Sequence, residues 1–229
     1  MEDIAAKGAD TQAAIAAETI STMILSGDLK GGERLKIRDL VKQTGIGATP
    51  LREGVSRLID RGFVKALDRR GFRVTETSAK DLEDIMRTRL PLESEALRLA
   101  IEKGDDQWEA QIVSTLHRLV NFMNWAPHDP REAALGFDAV HKAFHTALIS
   151  ACGSERMLAF LDMLYDQGFR YRHLMLTHHD PRQRLQGAQR IEEHNVLAEL
   201  AIKRKPREAV EALQRHLSTF SGDVFKNKS

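Results

Sequence analysis

The sequence predicts a mainly α-helical protein: an N-terminal winged helix-turn-helix, residues 1–76, followed by an antiparallel all-helical bundle of about six helices, residues 77–229. Three observations predict it. Between Arg34 and Arg73, two short amphipathic segments flank a glycine-containing turn and lead into two strand-like runs. Beyond Ser78 the apolar residues recur with a helical period and show no strand alternation. The connections between those later segments are short, which makes neighbouring helices antiparallel.

In order, MEDIAAKGAD is acidic and alanine-rich, does not read as a signal peptide, and is expected to fray. Thr11 to Ser26 reads as a helix ending at Gly27. A helix over Ile37 to Gln43 offers Ile37, Leu40 and Val41 on one face. Thr44-Gly45-Ile46-Gly47 is the turn, its glycines able to adopt positive φ. The next helix is expected to start at Thr49-Pro50, with threonine as N-cap and proline as first helical residue, burying Leu51, Val55, Leu58 and Ile59. Phe63 to Leu67 and Phe72 to Val74 read as strands around the basic loop Asp68 to Gly71.

In the second part the punctuation sets the helices. Ser78 to Asp81 resembles a capping box and opens a helix that stops at Gly104. Asp105 or Asp106 caps the next, which ends near Trp125. Asp129-Pro130 opens a third, to Gly153, and Ser154 a fourth, to about Thr177. Asp180-Pro181 opens a fifth, to about Lys203, and Pro206 is the first residue of a sixth.

Composition is that of a soluble protein, 42% hydrophobic and 29% charged over 229 residues, with no apolar run long enough for a membrane span. The single cysteine, Cys152, excludes an internal disulfide and fits a reducing cytoplasm. The formal net charge is +1, yet Arg34 to Arg73 holds eleven lysines and arginines against four acids. A local basic excess of that kind is the footprint of phosphate binding.

The segment GGERLKIRDLVKQTGI…TPLREGVSRLIDRGFVKALDRRGFRV resembles the N-terminal domain of GntR-type bacterial regulators over roughly residues 11 to 75. The resemblance implies contacts to double-stranded DNA from Arg38, from Thr49 and Arg52 at the start of the recognition helix, and from Arg70 and Gly71 on the wing. Gly47 and Ala48 depart from the family pattern, in which hydroxyl and polar or basic residues are common. A two-fold dimer on a palindromic operator is expected, because one winged helix covers little DNA.

In the bundle, His145 shares a stripe with His141 and Leu148. His194 lies with Ile191, Leu197, Ala198 and Ala201, and His216 with Leu213, Leu217 and Phe220. If these stripes face inward, four imidazoles converge. They then form either a metal site or a set of hydrogen-bonded core histidines; neutral imidazole suits zinc, nickel or copper. The region also resembles the FCD domain, the all-helical ligand-binding half of FadR-subfamily GntR proteins. The resemblance rests on R-x-x-L-E at Arg89 to Glu93, Phe144-His145, E-H-x-x-L at Glu193 to Leu197 and His216-Leu217. It implies a divalent metal held by three histidines, matched by His145, His194 and His216, and by an Asp four residues before the first of them. That position is His141 here. The site is then all-nitrogen, or His141 turns away and leaves a position to solvent, effector or Asp138. Zinc is the first expectation, with nickel or manganese as others.

Arg89 shares a face with Ile85, Leu92 and Ala96, so its guanidinium points inward, toward a carboxylate effector or an acid within the bundle. Arg170-Tyr171-Arg172 is the second candidate for an anion pocket, and by helical rotation not all three are expected to face inward. The stretch HKAFHTALISACGS…LYDQGFRYRHL is similar to a branch of FCD regulators that sense small organic acids. Together these features imply a transcriptional regulator, a repressor of a catabolic operon released by a small organic acid bound beside the metal. The alternatives are a direct metal sensor and a metal-dependent hydrolase. The hydrolase has no paired carboxylate base at fixed spacing and no use for a DNA-binding domain.

Overall fold

The computed structural model describes residues 2–67, 71–177 and 188–223. The chain divides into two compact units, residues 1–78 and 79–229.

In the first unit, helix α1 spans Glu2–Leu25 and buries Ala13, Ala16, Ala17 and Ile20. Residues 2–10 thus extend the helix instead of fraying, as their alanine content favours. A two-residue strand that periodicity could not reveal, β1 (Arg34–Leu35), precedes α2 (Ile37–Thr44) and α3 (Ala48–Asp60). Strands β2 (Val64–Leu67) and β3 (Gly71–Val74) complete a three-stranded antiparallel sheet in the order β1-β3-β2, with Lys65 opposite Arg73 and Arg73 opposite Arg34.

Two turn expectations are corrected. Gly45 takes positive φ (70°) and closes α2, its N–H donating to the Val41 carbonyl, but Gly47 is extended (φ −62°). Gly47 is also the N-cap of α3, so Thr49 and Pro50 are the second and third helical residues, and Thr49 does not cap. The missing N–H of proline is harmless throughout a first turn, so Pro50 marks the turn without marking its first residue. Along α3, Leu51, Gly54, Val55 and Leu58 are buried, while Ile59 is half-buried. Gly54 is where α1 comes close: a Cβ there would lie 2.7 Å from the Ala17 nitrogen and 2.9 Å from the Ala16 Cβ.

The second unit contains α4 (Ala79–Lys103), α5 (Asp106–Asn124), α6 (Pro130–Ile149), a 3₁₀ turn over Ser150–Cys152, α7 (Glu155–Thr177), α8 (Ala188–Ile202) and α9 (Pro206–Asp223). The caps are where the punctuation placed them. Asp105 accepts from the Trp108 N–H, Asp129 from Glu132 and Ser154 from Met157. Helix α6 gives way to the 3₁₀ turn before Gly153, which has φ 77°. The expected start of α8 at Asp180-Pro181 lies outside the described residues. Pro91 sits inside α4, where it removes one main-chain donor.

Helix α4 packs on α7 and α9, α6 on both α5 and α7, and α8 on α5 and α9. The core between them holds Leu97, Ile112, Leu119, Met123, Phe144 and Tyr171. Buried Cys152 is a packing residue, and Lys103 donates to its carbonyl.

Candidate functional site

His141 and His145 stand one turn apart on the buried face of α6, and α8 and α9 bring His194 and His216 to them. All four are at most 7% exposed, and one ligand atom from each lies within 4.8 Å of the others. The stripes therefore converge, and His141 joins the cluster instead of turning away. Each Nδ1 is committed to an oxygen outside the cluster: His141 to the Tyr165 hydroxyl (2.6 Å), His145 to Glu93 (3.1 Å), His194 to the Arg190 carbonyl (2.7 Å) and His216 to Glu193 (2.9 Å). With Nδ1 as the donor, Nε2 of each ring carries the lone pair and is left for the centre. The Nε2 atoms of His145 and His194 are fully buried and have no protein partner.

Three of the rings, those of His141, His145 and His194, are held neutral. Burial, then the neighbouring imidazoles, pushes His141 and His194 well below the ordinary histidine value. Burial brings His145 to about 4, against the pull of Glu93. Such a donor set fits a divalent metal ion. Zinc–imidazole bonds of ~2.0–2.1 Å in a tetrahedron put ligands ~3.4 Å apart, so the four rings, now within 4.8 Å of one another, would draw in to hold an ion.

Glu93 ties this cluster to Arg89. Its Oε2 accepts from Arg89 Nε at 2.6 Å while Oε1 faces His145, and all three side chains are at most 3% exposed. Burial would raise the carboxyl, but Arg89 and His145 hold it at about 2. Arg89 thus points inward, and an acid of its own helix answers it. Beside them opens a pocket of about 400 Å³ including its mouth. Arg89, Glu93, His145, Thr146, Asp162 and Tyr165 form its polar wall, and Ile149, Leu158 and Leu161 its apolar wall.

Arg170, Tyr171 and Arg172 are all buried, contrary to the rotation argument, because α7 is enclosed around its whole circumference over Leu164 to His173 apart from Gln167. They do not gather in one place. Arg170 (3.4 Å) and Tyr171 (2.6 Å) both reach Asp81 in the first turn of α4. Arg172 lies 3.7 Å from the Tyr165 ring centre and donates from Nε to Asp138 at 2.7 Å. Asp138 therefore faces Arg172 and is not among the clustered ligands. Tyr165 was not singled out from sequence, although it buttresses His141 and lines the pocket. A tyrosine between leucine and aspartate on a helix carries no local signal.

In the first unit Arg38, Thr49, Arg52 and Gly71 are exposed, and Gly71 has φ 86°. The start of α3 presents Gly47, Ala48 and Thr49 to solvent. Arg70 lies outside the described residues.

A winged helix-turn-helix joined to an all-helical domain defines a class of DNA-binding regulators. Residues 12–74 match the family of bacterial regulatory proteins termed gntR, and residues 84–219 match the FCD domain. The chain is 36% identical over 196 residues to the HTH-type transcriptional regulator BphR of Paraburkholderia xenovorans, covering 86% of this chain and 78% of the other. It is 31% identical over 201 residues to the HTH-type transcriptional repressor GlaR of Escherichia coli, covering 86% and 88%. In fold it is similar to the E. coli McbR/YncC structure, with a TM-score of 0.75 at 20% identity over 95% of this chain and 99% of that one. The chain belongs to the GntR family, with an FCD C-terminal domain. It is a DNA-binding transcriptional regulator and not an enzyme.

Proposed function

We propose that the protein is a cytoplasmic homodimeric repressor that binds a palindromic operator and is released by a small carboxylic acid bound beside a divalent metal, zinc first, in the helical unit. The observation that carries this reading is the set of four buried imidazoles with every Nδ1 committed outward. His141, His145, His194 and His216 would hold the ion, which would supply a fixed positive charge and tie α6, α8 and α9 together. That charge, with Arg89 in the adjoining wall, favours an organic anion in the pocket. The sign of regulation follows GlaR, named a repressor. Among the described residues no helix is long and apolar enough to cross a membrane. Arg38, Thr49, Arg52, Arg70 and Gly71 are the proposed DNA contacts. A second reading, the ion itself as signal, is favoured by the number of imidazoles, because four fill a tetrahedral ion without help from a ligand.

One set of measurements separates these readings: elemental analysis of purified protein, and gel-shift titration at fixed salt with chelator or with carboxylic acids chosen by thermal shift. Bound zinc and release by an acid support the first reading; release by chelator alone supports the second. Arg52→Ala should weaken operator binding by ~1–3 kcal/mol if it reads a base edge. Metal-free protein with no response to any acid or to chelator would remove both.

A further inference from the structure

We propose that His141 sets the ion preference of the cluster, restricting it to borderline-soft ions of the zinc, nickel, cobalt and copper class and excluding hard ions such as manganese and magnesium. The proposal rests on the reading of the four histidines as a metal centre and goes beyond it by assigning the selectivity to one side chain. The argument concerns donor type. Imidazole nitrogen suits zinc, copper and nickel, whereas manganese and magnesium favour carboxylate, carbonyl and water oxygen. The oxygens that bond the four rings lie on their outer side, at Nδ1. Glu93 is held by Arg89 and by His145 Nδ1, and Glu193 by His216 Nδ1. The Tyr165 hydroxyl is on His141 Nδ1, and the Asp138 carboxylate is on Arg172. The donor set pointing inward is therefore four imidazole nitrogens, and no carboxylate is in the cluster among the described residues.

His141 is the member of this set that an oxygen donor could replace with least disturbance. Its neighbour on the outer side is a hydroxyl, which can donate to a carboxylate, whereas His194 faces a carbonyl and His145 and His216 each face a carboxylate, none of which can. Its orientation is fixed from three elements. Tyr165 of α7 bonds Nδ1, His145 lies one turn along α6 with ring centres 4.4 Å apart, and His194 of α8 meets the ring edge-on at 5.2 Å. The charged group facing it is Arg172, which stacks on Tyr165 and is neutralised by Asp138.

The test uses full-length protein stripped with chelator and supplied with one metal at a time. Manganese binding is read from loss of the free aquo-ion signal in electron paramagnetic resonance, and zinc binding from competition with a chromophoric chelator. Wild type is expected to take zinc and to leave manganese free at concentrations that saturate with zinc. His141→Asp should bind manganese tighter than wild type by roughly tenfold or more while losing zinc affinity. His141→Ala, which removes a donor without adding oxygen, should weaken zinc and gain nothing for manganese. Wild type that takes up neither ion removes the metal centre, and the proposed function with it. Wild type that takes zinc but binds manganese about as tightly overturns only the role of His141, whether or not the variants fold. Manganese gained equally by His141→Ala also overturns that role, since the histidine would then only crowd the site.

Discussion

Glu93 is the residue at which the arginine and the histidine cluster meet, and its neighbours make the metal-free protein acid-sensitive in a defined order. A histidine in the unfolded chain titrates near 6.5, whereas folded His145 takes a proton only near 4. Between those values the unfolded state binds the extra proton, so stability is present above pH 6.5 and is lost as the pH falls toward 4. A difference of that size corresponds to about 3 kcal/mol from His145. His141 and His194 are displaced in the same direction and add to the loss. Glu93 acts lower: its folded value of about 2 contributes stability that is present above the unfolded 4.5 and is lost as pH falls from there toward 2. Chelator-treated protein should therefore melt at a clearly lower temperature at pH 5 than at pH 7, before Glu93 takes a proton. Identical melting at the two values would mean that the rings are not buried in neutral form.

At the scale of elements, helix existence was legible because each helix has its own apolar period and its own punctuation. Asp105, Asp129, Ser154 and Pro206 stand at or beside the helix starts they announced. Features that depend on a neighbour were not legible. Strand β1 is too short for any period and exists through pairing with β3. The full burial of Arg170 to Arg172 follows from α7 being enclosed by its neighbours, which its own sequence does not encode. At the site, all four histidines and Arg89 were readable from apolar stripes, three of the histidines also from family resemblance. Tyr165 and Asp81 were not, since each gains its role from a partner 24 or 90 residues away. Gly54 belongs with these: inside a helix it reads as a weak residue, yet it lets the α1 backbone approach. Gly54→Ala should gain helix propensity and still destabilise the first unit, by about 1–3 kcal/mol as overpacking does, because the obstructing atom at 2.7 Å is main-chain nitrogen. Denaturant unfolding with an unchanged or raised midpoint would show that α1 and α3 have room to separate.

For the whole molecule, the proposed release by an acid requires a route by which an occupied pocket changes affinity for DNA. The first unit ends at Ser78 and α4 begins at Ala79, so α4 is the covalent continuation of the DNA-binding unit. Its first turn carries Asp81, which Arg170 and Tyr171 grip from α7. Earlier on α7, Tyr165 lines the pocket and supports His141. One helix thus touches both the site and the root of α4, and Arg89 and Glu93 of α4 line the same pocket. An acid bound there shifts DNA affinity only through different affinities for two arrangements, and the coupling is reciprocal. Operator DNA should therefore weaken acid binding by the same factor by which the acid weakens DNA binding. Tyr171→Phe, which removes the 2.6 Å bond to Asp81, should leave each separate affinity near wild type and reduce that shared factor. His194→Ala should abolish the response while preserving operator binding. The check is calorimetric titration of the acid with and without a saturating operator duplex, alongside gel shifts with and without the acid. Unequal factors in the two directions would show that a third species, such as a dissociating dimer, takes part. A Tyr171→Phe protein with full coupling would show that the signal does not pass through Asp81.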